Sequence, residues 1–253
     1  MNIEKQTYFG YMILTLVAIA SILLGLALSV SEAHATPFNL IQGEYQITGN
    51  AYIDNDYNQG TSKGARGIAE IYTVSQGSNE VWNRATASNE YNLYFDGYTV
   101  INTAPIGSDI VAFESIGGYV SIYDNLAGTF QATGNYWNDA SAITAGSLYL
   151  YLTGNGNTSG FIVSNQGVPI SILATGLLNV IGGPESAYFD TNLLPNGADM
   201  SFSLSGDNTD TSGYTFSGSS DLGGVAPVPS PAPLALMGLG LIAMRRVVKS
   251  KQV

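Results

Sequence analysis

The stretch Met200-Ser-Phe-Ser-Leu-Ser205 alternates apolar and small polar residues with a period of two. In an extended chain successive side chains leave on opposite faces, so Met200, Phe202 and Leu204 share one face and the three serines the other. Such a segment is a strand with one dry side and one wet side. The same patterning recurs from Phe38 onward. In Leu148-Tyr-Leu-Tyr-Leu152 the leucines are expected inward, with Tyr149 and Tyr151 on the outer face or beneath a neighbouring strand. Tyr91-Asn-Leu-Tyr-Phe95, Tyr119-Val-Ser-Ile-Tyr123 and Ala69-Glu-Ile-Tyr-Thr-Val74 add aromatic and β-branched runs. Turn clusters separate them: Asn58-Gln-Gly60, Ser75-Gln-Gly-Ser-Asn79, Gly154-Asn-Gly-Asn157 and Gly206-Asp-Asn208. No segment between them sustains a capped 3.6-residue apolar period, and no internal repeat suggests a solenoid. The expectation is an all-β protein: one antiparallel β-sandwich, jelly-roll-like, over residues 36–222.

The two ends read differently. Met12 to Val30 is an almost unbroken apolar run that closes on Ser31-Glu32-Ala33-His34-Ala35. Ala33 and Ala35 make the small-residue pattern of a signal peptidase site, so residues 1–35 are expected to be a helical signal peptide, with an uncleaved anchor as the alternative. At the other end a Pro-rich linker, residues 223–233, breaks the β pattern, because prolines remove backbone donors and favour extended chain. Leu234 to Met244 is then expected to form a short apolar helix that would rise only about 16 Å, against the ~30 Å hydrocarbon core of a membrane. Arg245, Arg246, Lys249 and Lys251 follow, placed to hold the cytoplasmic face.

Residues 228–249 resemble the PEP-CTERM family of C-terminal sorting domains. Val228, Pro229 and Pro231 supply its proline motif, Leu234 to Met244 its short apolar stretch, and Arg245-Arg246 its basic cluster. Ser230 stands where the family most often has glutamate. The resemblance implies export across the inner membrane of a Gram-negative bacterium, handling by an exosortase-type membrane enzyme, and an association with exopolysaccharide, biofilm or floc formation. In the body, Tyr149 and its strand, Ala187-Tyr-Phe189 and Gly197-Ala-Asp-Met200 are similar to flocculation-associated members.

Composition excludes several kinds of chemistry. The only histidine, His34, lies in the expected signal peptide, and there is no cysteine. The remaining chain can build neither a Ser-His-Asp triad, a Cys-His pair nor a His/Cys zinc site, and an exported chain without cysteine must hold itself together by burial and strand pairing. Between Thr36 and Leu222 seventeen acidic residues face Lys63, Arg66 and Arg84 alone. An anionic body is a poor partner for nucleic acid or anionic lipid, but is compatible with neutral polysaccharide or a divalent cation. Asp54, Asp56 and Asn58 ahead of Gly60 could wrap Ca²⁺, or form an Asx-rich hairpin turn. Asn135-Tyr-Trp-Asn-Asp139 is the most lectin-like cluster, with Tyr136 and Trp137 available to stack on a sugar ring if core packing does not claim them.

The chain is therefore expected to be a non-enzymatic, exported structural or adhesive protein of the envelope or extracellular matrix, with no resident cofactor beyond that Ca²⁺. The alternatives are a carbohydrate-binding module that uses Trp137, and a glycan hydrolase built on two acids from Glu44, Glu70, Glu80, Glu90, Glu114 and Glu185.

Overall fold

The alternation is realised, but the sheet it builds closes on itself. The structure is a computed structural model that describes Phe38, Leu40 and residues 43–55, 65–208 and 213–226. The ten strands are β1 (Gly43–Asn55), β2 (Ala65–Gln76), β3 (Asn79–Asn83), β4 (Asn89–Pro105), β5 (Ile110–Leu126), β6 (Ser147–Gly154), β7 (Thr158–Asn165), β8 (Val168–Gly182), β9 (Met200–Asp207) and β10 (Phe216–Ala226). β1 pairs with β2 on one side and with β10 on the other, from Gly43 opposite Ala226 to Ile53 opposite Phe216. β3 and β4 lie in series along β2, as β6 and β7 do along β5, so the ten strands fill eight positions of an antiparallel barrel. Chain neighbours are neighbours in space throughout, an up-and-down meander. The expected sandwich is thus overturned. A sandwich and a barrel demand the same period-two pattern, and only the pairing of first strand with last tells them apart.

Strand β10 runs beyond Leu222 to Ala226, into the segment expected to be linker. The expected signal helix, its Ala33 and Ala35, the Pro-rich motif and the C-terminal apolar helix lie outside the described residues. Among the described residues no helix is long and apolar enough to cross a membrane.

Inward-facing residues line the barrel. Leu93, Phe95, Ile122, Leu150, Leu152, Leu178, Met200 and Phe202 are all buried. Aromatic rings lie over glycines: at Gly118, whose φ is +79°, a Cβ would fall 2.5 Å from the Tyr98 ring. Glycine is needed there twice over, for the left-handed backbone and for the ring above it. Where the chain enters and leaves, an aromatic plug closes the barrel. Phe38 meets Tyr91, Tyr149 and Trp82 edge-on at 4.7, 5.3 and 6.1 Å between centroids. Helix α2 (Ser186–Phe189 of the β8–β9 connection) adds Phe189 against Tyr45 and Tyr149.

A bulge re-aims two side chains of β6. The register slips between Ile122 and Tyr123, so Leu148 pairs with Tyr123 and Tyr149 has no partner opposite. Leu148 consequently turns to solvent and Tyr149 into the plug, the reverse of the expected phase, while Leu150 and Leu152 point inward and Tyr151 outward. Likewise Gly154-Asn-Gly-Asn157 is not a hairpin but an interruption between β6 and β7 in one continuing direction.

Neither α-helix of the described body is expected from the sequence, and the longer one has the larger part in the surface. Helix α1 (Tyr136–Thr144) starts at Asn135, whose side chain accepts from the Asn138 backbone N–H at 3.1 Å. It packs outside the barrel, where Ile143 and Tyr136 join Ile68, Phe130 and Tyr214 in a second apolar cluster. Asp139, 1% exposed, accepts from the Thr133 N–H at 3.0 Å, the Thr133 hydroxyl at 2.6 Å and the Tyr214 hydroxyl at 2.6 Å. Asp199 fixes the β8–β9 connection in the same way, accepting from the backbone N–H groups of Val180, Thr191 and Asn192.

The buried tyrosines make the barrel sensitive to alkali. Burial, above all, raises the hydroxyls of Tyr45, Tyr98 and Tyr149 well above their ordinary value of 10, and pushes Tyr72 and Tyr119 up to about 12. A folded value above the unfolded one contributes stability in full below pH 10 that is lost as pH rises through the folded values. The protein is expected to keep its circular dichroism to about pH 10 and then unfold steeply as tyrosinate absorbance at about 295 nm appears. Ionisation of Tyr45, Tyr98 or Tyr149 near pH 10, followed residue by residue by NMR with the sheet signal intact, would contradict these burials.

Candidate functional site

Strand register lines up an aromatic surface on the outside of the barrel. Tyr52, Ile68, Tyr94, Ser121 and Tyr151 form one cross-strand row over β1, β2, β4, β5 and β6. Asp96 opposite Tyr119 begins the row on one side, and Asn92 opposite Tyr123 the row on the other. Outward tyrosines in adjacent rows are within ring contact. Tyr94 meets Tyr119 edge-on at 5.8 Å and stacks with Tyr123 at 6.1 Å, while Tyr119 lies 6.0 Å from Tyr151. All four are half-buried, with part of each ring at the surface.

Helix α1 extends this strip. The Tyr136 hydroxyl donates to Asp96 Oδ2 at 3.1 Å, and its ring is 5% exposed. Trp137, next along the first turn, is 63% exposed. The Arg66 guanidinium lies 4.9 Å from the centroids of both rings, and its Nε and Nη2 donate to Asp54 Oδ2 at 3.0 and 2.7 Å. A cation over the ring faces and an ion pair behind it hold both arginine and indole in place. Arg66 is neutralised by Asp54, and Asp96 is already hydrogen-bonded. Among the described residues the strip therefore offers flat apolar faces fringed by hydroxyls, with no uncompensated cation to attract an acidic ligand.

The Tyr119 and Tyr123 hydroxyls of the strip stay protonated. Burial first, then the Asp96 carboxylate, pushes Tyr119 up to about 12, and burial followed by Tyr94 raises Tyr123. They can both donate and accept throughout the neutral range.

The structure separates the residues that the sequence grouped. Of Tyr136 and Trp137, the first is a buried strut and the second a free indole face. Trp82, by contrast, belongs to the plug. Of the suggested Ca²⁺ ligands, Asp54 is the partner of Arg66, and Asp56 and Asn58 lie outside the described residues. Among the described residues no three His, Cys, Asp or Glu side chains gather as a metal site would require. In the acidic pool, Glu90 is bound to Arg84 and to the loop after β5, and Glu70 accepts from the Tyr72 hydroxyl. Val228, Pro229, Pro231, Arg245 and Arg246 are outside the described residues.

Four surface tyrosines, Tyr94, Tyr119, Tyr123 and Tyr151, escaped sequence reasoning as a site. The signal was present in the phase of their strands: Leu93 and Phe95, or Val120 and Ile122, fill one face and place the tyrosines on the other. Elsewhere on the outer wall a polar concavity of about 1090 Å³ is lined by Gln46, Ser159, Thr175, Ser201, Ser203 and Asp221. It offers hydroxyls but no exposed aromatic ring. No protein-family model matches the chain, and comparison with curated proteins and solved structures gives no match either.

Proposed function

We propose that the chain is an exported, non-catalytic protein of a Gram-negative cell envelope or extracellular matrix, whose barrel binds neutral exopolysaccharide along its outer aromatic strip and so contributes to aggregation. An exosortase-type enzyme would act on the C-terminal segment from Val228 to Arg246 and release the barrel to the matrix. The observation that carries the binding half of this reading is Trp137. An indole 63% exposed on a short capped helix, braced from behind by Arg66, costs solubility without adding to the core. A sugar ring seated on it would restore that burial, and the neighbouring tyrosines extend the contact along a polymer. The anionic body favours a neutral glycan over a uronic-acid polymer, which it would repel.

The test is retention of the full-length protein on immobilised neutral polysaccharides, such as dextran, a β-glucan and the exopolymer of the producing cells. Trp137→Ala is expected to weaken retention about tenfold or more, as the loss of a central aromatic contact does, and to leave the melting temperature nearly unchanged. Retention that is absent in the parent protein, or equal in the variant, would remove the proposed role. Release of reducing sugar would instead favour the hydrolase reading.

A further inference from the structure

The barrel axis holds a cavity that the outer strip does not use. It measures about 60 Å³, and all eight barrel positions contribute to its wall. Most of that wall is hydrocarbon: Leu93, Phe95, Phe113, Ile162, Ile172 and Phe202 are among its lining. Three hydroxyl side chains interrupt it, Ser115 on β5, Thr158 on β7 and Ser220 on β10, with exposures of 3, 5 and 6%. None of the three makes a hydrogen bond to a described residue, and none is among the polar atoms enclosed by packing, so their oxygens border the open space. The Tyr98 ring stands in the same wall.

Leaving a hydroxyl without a partner inside a protein is costly, and a methyl group at each place would be more favourable for the barrel alone. Convergent polar groups in an apolar cavity are the arrangement that orients a ligand. We propose that the lumen is a binding site for a small uncharged molecule with an apolar body and a hydrogen-bonding oxygen that meets Ser115 and Thr158, which pair across β5 and β7. A charged ligand is excluded. Among the described residues no carboxylate faces the lumen: Asp221, between the inward Ser220 and Leu222, is bonded on the outer face to Thr48 and Gln46. The size follows from the space: one water needs ~10–15 Å³ by this measure, so the lumen admits a few such groups, a molecule on the scale of a phenol or a short-chain lactone. Because the aromatic plug closes the pole at which the chain enters and leaves, the ligand must pass the opposite one. There Ile106, Val168 and Ile170 are exposed.

Phenol, with benzene as its hydroxyl-free counterpart, is the probe, titrated into the full-length protein and followed by ligand-observed NMR and by melting temperature. Phenol is expected to bind and to raise the melting temperature. Ser115→Ala with Thr158→Val should weaken phenol about fivefold per hydroxyl lost and leave benzene no weaker. Ala174→Leu, which fills the lumen, should abolish both, and if it fails to fold the hydroxyl pair alone carries the comparison. Trp137→Ala should leave phenol binding unchanged, which separates the lumen from the outer strip. The proposal is overturned if phenol binds nowhere at millimolar concentration, if only water occupies the lumen, or if binding is indifferent to the two hydroxyl substitutions.

Discussion

Glu90→Ala is expected to destabilise the protein by about 3–5 kcal/mol. Glu90 is 2% exposed and its Oε2 accepts from Arg84 Nη2 at 2.7 Å. The same carboxylate takes the backbone N–H groups of Gly128 at 3.1 Å and Phe130 at 2.6 Å, and the Thr129 hydroxyl at 3.1 Å. It thus ties the β3–β4 loop, which carries Arg84, to the chain that leaves β5 toward α1. Removing the carboxylate leaves a nearly buried guanidinium uncompensated and these donors unpaired, and a buried ion pair broken from one side costs far more than the pair contributed. Arg84 retains Asn92 Oδ1 at 3.0 Å, two backbone carbonyls at 3.4 Å and the Tyr72 ring at 5.8 Å, none of which carries a negative charge. At roughly 2–4 °C per kcal/mol for a domain of this size, the melting temperature should fall by about 6–20 °C. Glu90→Gln, which keeps the shape and loses the charge, should fall between. A change below about 1 kcal/mol in chemical denaturation would mean that Arg84 finds another partner and that the loop is not held here.

Phe38→Ala should cost a comparable amount, about 3–5 kcal/mol, for a different reason. The ring is fully buried and touches three others edge-on, so its removal leaves a void bounded by Trp82, Tyr91 and Tyr149. Those neighbours are themselves fixed by strands and cannot collapse into the space. Phe38→Leu should recover about half the loss. The residue lies just past the expected cleavage site at Ala35, so trimming the mature chain by a few residues more should reproduce the substitution. If melting of Phe38→Ala matches the parent, the plug is not what closes this pole.

The strands themselves were legible in the amino-acid sequence, because each buries one face and alternation records that directly. Met200 and Phe202 point inward and Ser201 and Ser203 outward, as their order implies. What local pattern does not carry is which strand meets which. The contact that turns a layer into a ring joins Gly43 to Ala226 and Ile53 to Phe216, across nearly the whole body, with no residue type that marks it. The β6 bulge is equally silent. Leu148 and Tyr149 change sides because of a slip opposite Tyr123, on another strand. Helix α1 is nine residues long, too short for its apolar positions to show a period, and its one local sign is Asn135 as a cap. For the outer site, the sequence offered Tyr136 and Trp137 together and left open whether core packing claims them; the structure separates them, with Trp137 exposed and Tyr136 buried. Tyr136 is drawn inward by Asp96, and the rings that share the surface come from β4, β5 and β6.

The pairing of Gly43 with Ala226 also sets how the molecule bears load. First and last strands lie side by side and antiparallel, so tension between the two termini would act on the seam one bond at a time, from the end inward, as a zipper opens. A barrel held by a single terminus would feel no such tension, because a force on its wall would pass along the tether and leave the seam unstressed. Cutting either end free while the other stays fixed is the mechanically safe arrangement.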